Sequence, residues 1–122
     1  MSASYTQTSF TVSDIIAGEF DDLIGEKITV ASGQNLMRGA VLGKITASGK
    51  YTLSLSAAAD GSQIPDFILA ENCDATGGDK VAIAYSRGDF NAQNLIIGTG
   101  HTIASIKEGL RVKNIILINS QN

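Results

Sequence analysis

Residues Ile28 to Ile45 constrain the fold of this chain more than any other stretch. Ile28 and Val30 point one way and Thr29 and Ala31 the other, the two-residue period of a half-buried strand. Ser32-Gly33-Gln34-Asn35 reads as a turn, because glycine reaches positive φ without a Cβ clash and asparagine tolerates it. Leu36 is the apolar residue that must be buried before Arg38-Gly39 turns the chain again, with positive φ expected at Gly39. Val41, Leu42 and Ile45 then restart the apolar pattern, and Gly43 among them predicts a bulge or a close backbone approach.

A chain of 122 residues fits one domain with a core of its own. Its composition, with 13 Gly, 1 Pro and no Trp, favours short strands joined by glycine turns around an Ile, Leu, Val and Ala core. A net charge of −3 argues against a nucleic-acid partner, whose footprint is basic, and against attraction to anionic lipid. Cys73 is the single cysteine, so no intrachain disulfide forms; a small buried residue in a protein made in a reducing compartment is expected. Met1-Ser2-Ala3-Ser4 has no basic region and no apolar run behind it, so no signal peptide is expected. The aliphatic run Ile115-Ile116-Leu117-Ile118 falls far short of the ~20 residues of a spanning helix.

The domain organisation is read as an N-terminal arm, residues 1–14, and one β-rich domain, residues 15–122. Residues 1–11 are rich in Ser and Thr and carry little to bury. Tyr5 and Phe10 are sparse anchors, and Thr6 and Thr8 suit an added strand, so these four are candidate contact residues of the arm. Ser13-Asp14-Ile15-Ile16 fits a capped helical turn or an extended segment, and Glu19-Phe20-Asp21-Asp22 an exposed acidic run anchored by Phe20. Tyr51, Leu53 and Leu55 share one face of a strand that the Ser48-Gly49 turn pairs with residues 41–46. Phe67 to Glu71 is a short buried strand. Val81, Ile83 and Tyr85 alternate with Ala82, Ala84 and Ser86, and the second set looks too small to fill a core. That small-residue face invites close contact with another layer or with a neighbouring subunit. Arg87-Gly88-Asp89-Phe90-Asn91 is read as the turn that closes this strand. Thr102 is placed as an N-cap, with Ile103, Ile106 and Leu110 striping a helix from about Ile103 to Leu110. Lys113-Asn114 then turns the chain into a last strand.

No catalytic constellation emerges. Gly98-Thr99-Gly100 has Ile103 where a dinucleotide fingerprint needs its third small residue. His101 is the single histidine and lacks a ligand cluster around it, which makes a poor metal site. No G-x-S-x-G elbow is present. No enzyme activity, cofactor, metal or small-molecule substrate is expected.

Two folds use the grammar of the central stretch: the β-clip of phage head decoration proteins and the lipoyl/biotinyl hammerhead. Three blocks decide between them. These are Thr29–Lys44 (TVASGQNLMRGAVLGK), Phe67–Asp74 (FILAENCD) with Thr76-Gly77, and Tyr85–Asn91 (YSRGDFN). Ala17-Gly18-Glu19-Phe20 upstream and Leu110-Arg111 downstream complete the order. Together they resemble the bacteriophage lambda head decoration protein D family over roughly residues 15 to 118. Relatives tend to carry Pro after that Phe, where Asp21 stands here. The resemblance implies a mainly β, β-clip-like small barrel or sandwich of short strands, with one short helix near the C-terminus and an extended N-terminal arm. It implies a homotrimer that binds the major capsid protein at three-fold sites of an expanded icosahedral head and stabilises it. The protein would be made in the host cytoplasm and reside on the outer surface of the virion. The trimer interface is assigned to Ala82, Ala84 and Ser86, and Gly33, Gly39 and Gly43 to structural turns. A hammerhead carrier domain is the alternative, but it needs an exposed hairpin lysine, and neither Lys50 nor Lys80 has that setting.

Overall fold

The computed structural model describes residues 23–118. The arm with Tyr5, Thr6, Thr8 and Phe10, the turn expected near Ser13, the acidic run from Glu19 and the tail from residue 119 lie outside the described residues. The elements, in order, are β1 (Ile24–Val30), β2 (Asn35–Leu36), β3 (Val41–Lys44), β4 (Tyr51–Leu53), β5 (Pro65–Leu69), β6 (Cys73–Asp74) and β7 (Lys80–Asn91). A 3-10 turn (Ala92–Asn94), helix α1 (Ile103–Val112) and strand β8 (Ile115–Ile118) follow.

Five strands close into a barrel in the order β1-β4-β3-β5-β7, with β7 returning to pair with β1. All the contacts are antiparallel except β1–β4, which is parallel and rests on the one pair Val30↔Tyr51. Closure removes most free edges, which a small β protein must otherwise protect. β2 and β6 form a separate two-stranded ladder beside the barrel. The expected hairpin is present, with Leu42 opposite Leu53 and Lys44 opposite Tyr51.

The core has two layers. Inside the barrel lie Ile28, Val30, Leu42, Tyr51, Leu69, Ala82 and Ala84, and Cys73 of the β2–β6 ladder joins the same cluster. Outside it, Val41, Ile68, Phe90, Ile106, Leu110, Ile115 and Leu117 pack between the sheet and α1. β3 and β5 therefore bury both faces, Val41 and Ile68 outward, Leu42 and Leu69 inward. A strand between two layers carries an unbroken apolar run in place of alternation. Each fully buried side chain of this size contributes roughly 1.5–3 kcal/mol.

β7 is twice as long as expected. Its first part pairs with β1, and from Gly88 to Asn91 it pairs in parallel with β8. Arg87-Gly88-Asp89 is therefore strand and not a closing turn, because a partner that arrives about thirty residues later extends the ladder. In α1, Thr102 accepts a hydrogen bond from the Ser105 amide, while the Ser105 hydroxyl accepts one from the Thr102 amide. This reciprocal cap fixes the helix start, and Ile106 and Leu110 form its buried stripe. Asn114, with φ 71°, then turns the chain into β8.

Candidate functional site

The strand expected to present a small-residue face presents the opposite one. Ala82 and Ala84 are 2% and 0% exposed and point into the barrel, against Val30, Leu42 and Leu69. Val81 and Ile83, expected in the core, are 56% and 39% exposed. The interior of a five-stranded barrel is narrow and already holds large side chains from the other strands, so β7 fits only with methyl groups facing in. Ala82 and Ala84 are thus corrected from an interface to barrel core. Ser86 sits at a bulge: Ile24 pairs with Arg87 and Gly25 with Tyr85, leaving Ser86 over. Its hydroxyl donates to the Ile24 carbonyl (3.3 Å) and the Glu26 carboxylate (3.2 Å). The outward surface of the β1–β7 pair is therefore Val81 and Ile83 opposite Thr29 and Lys27.

Beside this surface runs a slot of 460 Å³. β1 pairs along its whole length with β7 on one side, but on the other it meets β4 at Val30 alone. From Ile24 to Thr29 that second edge has no strand partner among the described residues. Tyr51 and Phe67, stacked with ring centroids 5.1 Å apart, form part of the wall. Lys27 and Lys44 line it and have no acidic partner among the described residues, while Glu26 turns to Ser86. Sequence reasoning missed the slot. Its signal was faint: Lys27 and Glu26 interrupt the apolar phase of β1, as edge strands often do.

The three turn glycines hold different positions. Gly33 (φ 92°) and Gly39 (φ 96°) lie in the left-handed region. Gly43 is pressed against backbone, and a Cβ there would stand 1.9 Å from the Ser62 carbonyl oxygen. Next to it, Asp66 bulges out of β5, since Leu42 pairs with Phe67 and Gly43 with Pro65. The bulge aims Asp66 at the Lys113 ammonium (3.0 Å) and brings it near the Tyr51 hydroxyl (3.4 Å). Burial, then the charge of Asp66, pushes the Tyr51 phenol up to about 12.

The other reactive groups serve structure. Ser54, fully buried, lies with its Oγ 3.1 Å from His101 Nε2. β4 ends at Leu53, so Ser54 turns in toward His101, and Leu55, expected to share a face with Tyr51 and Leu53, is exposed. Cys73 is buried, which pushes its thiol up and away from reactivity. Lys50 is ion-paired with Asp79, and Lys80 pairs in register with Val30. No group of three or more metal-binding side chains occurs among the described residues, and no helix there is long and apolar enough to cross a membrane.

Three exposed carboxylates carry an acid response. The Ser62 hydroxyl and then its amide hold Asp60 below its ordinary pKa, and Thr76 does the same for Asp74. Lys50 and the Ser32 amide lower Asp79. A pKa lowered by folding means that the unfolded chain binds more protons. This stability is complete above the ordinary carboxylate value near ~4 and drains as pH falls toward the lower folded values. The melting temperature should stay level from about pH 7 to 5 and drop below ~4. Asp60→Asn with Asp74→Asn should lower the neutral melting temperature and flatten that drop, as calorimetry across pH would show.

The barrel buries the small residues of β7 inward and leaves Val81 and Ile83 on its outer face. The family model of bacteriophage lambda head decoration protein D matches residues 5–113. The chain belongs to that family. The search of curated proteins found no match. Membership in the head decoration family associates the chain with the phage capsid and places it among virion structural proteins.

Proposed function

We propose that this decoration protein binds the expanded icosahedral head at its three-fold sites as a homotrimer, contacts the major capsid protein and stabilises the shell. The observation that carries this reading is the family match across residues 5–113. The exposed Val81 and Ile83 on the outer β1–β7 face support a subunit contact there. A ring of three needs a heterologous interface, in which one patch meets a different patch on the neighbour. Binding the mature lattice alone would stabilise it by linkage, and three attachments per ring would add multivalency. The arm, with Tyr5, Thr6, Thr8 and Phe10, is the proposed capsid-contacting strand.

Sedimentation with expanded empty capsids tests this. Full-length protein should co-sediment and raise the temperature at which the shells disassemble. A chain lacking residues 2–11 should keep its own melting temperature yet bind at least about tenfold more weakly, because the loss multiplies across the ring. Tight decoration by the truncated chain would move the attachment surface onto the barrel. Failure of the full-length protein to bind would overturn the reading.

A further inference from the structure

We propose that the slot beside β1 is the seat of a strand from a second copy of this chain, supplied by its acidic segment Glu19-Phe20-Asp21-Asp22. The inference rests on the trimer reading above and specifies its seam.

The backbone geometry comes first. The Ala31 amide donates to the Tyr51 carbonyl (2.8 Å), so Ala31 faces the β4 side of β1. Amides and carbonyls alternate sides along a strand, so Thr29, Lys27 and Gly25 present theirs to that same side. β4 does not extend past them; it meets β1 at Val30 only. The amide and carbonyl of Lys27 consequently face the slot, and those of Gly25 the same open edge beyond it, with no backbone partner among the described residues. Unpaired strand groups beside an open groove are the geometry of strand addition.

The chemistry of the walls selects the occupant. Lys27 and Lys44 put two positive charges on the slot against one lining carboxylate, Glu26, which accepts from Ser86, so the wall keeps an excess of positive charge, and the stacked Tyr51 and Phe67 supply an aromatic surface. A matching strand alternates acidic and aromatic side chains. Glu19-Phe20-Asp21 does so, with Glu19 and Asp21 on one face and Phe20 on the other. The two acids would meet Lys27 across the ladder, and Phe20 would turn toward the rings. The segment runs directly into Leu23 and β1 of its own barrel, so four residues span at most about 14 Å. The receiving slot must therefore belong to a barrel in direct contact, which a closed ring supplies. Val81, exposed on the outer face, also lines the slot, so the seam is continuous with the proposed subunit contact.

Two measurements test this on the full chain. Lys27→Glu with Lys44→Glu should weaken the trimer about tenfold or more in sedimentation equilibrium while leaving the melting temperature of the dilute protein unchanged. Adding Glu19→Lys and Asp21→Lys should restore assembly. Separately, Asp21→Cys with Lys27→Cys should give covalent dimers and trimers on non-reducing gels after mild oxidation. A wild-type trimer indifferent to the charge reversal, with no cross-linked oligomer, would overturn the seam and leave the trimer standing. An intrachain bond in the double-cysteine protein would overturn it by placing the segment in its own slot. A wild type that is monomeric in solution and on capsids would overturn both readings.

Discussion

Gly43→Ala is expected to cost at least about 3 kcal/mol and to leave little folded protein at 37 °C. The added methyl would lie 1.9 Å from the Ser62 carbonyl oxygen and 2.8 Å from the Ser62 Cα, both of them backbone atoms. A flexible side chain could swing aside, but this obstacle is the loop itself. Ser62 is buried, its amide is held by Asp60, and the Asp60 carbonyl is tied to the Thr46 amide (2.9 Å). β3, for its part, is fixed between β4 and β5. Either the loop lifts off or the ladder parts. Gly77→Ala is the control, since a Cβ there meets nothing within 4 Å. Urea unfolding of the two variants decides the matter: equal midpoints for Gly43→Ala and the parent would refute the close approach.

Ala84→Glu should abolish the barrel. Ala84 is fully buried among Val30, Leu42 and Leu69, with no cation among the described residues of that cluster to pair with a carboxylate. The substitution adds volume to a filled interior and desolvates a charge, each worth several kcal/mol against a total stability of about 5–15. Read as an interface residue, the same position would give folded protein of lower mass. Circular dichroism alongside light scattering separates the two outcomes. Val81→Glu, one strand face away and exposed, should remain folded and show the mass loss that the outer-face contact implies. A folded Ala84→Glu variant would refute the inward orientation of β7.

The contrast between Ala84 and Val81 shows where the sequence ceases to be legible. Alternation along 81–86 marked a strand and separated its two faces correctly. Which face turns inward depends on the volume that four other strands leave free, and no local window contains that. The strand read as far as Leu55 stops at Leu53 for a related reason, since Ser54 turns in to His101, 47 residues away. The length of β7 was hidden because its second partner, β8, follows a helix. By contrast, the β3–β4 hairpin, the Thr102 cap and the stripe of α1 depend on neighbours within a few residues, and each was readable. The family was readable too, since three separated blocks kept their order. The slot was not, because it is bounded by residues from β1, β3, β4, β5 and β7 that only barrel closure brings together.

The ladder between β1 and β7 joins residues 50 positions apart at Val30 and Lys80 and 63 apart at Ile24 and Arg87. Contacts of that separation make folding slow, in the millisecond-to-second range and not in microseconds. They also set an order of events during synthesis. At roughly 5–20 residues per second, β1 leaves the ribosome several seconds before its partner exists. For that interval Ile24, Ile28 and Val30 form an unpaired apolar strand, and the charges of Glu26 and Lys27 in its middle act as gatekeepers against aggregation until β7 arrives.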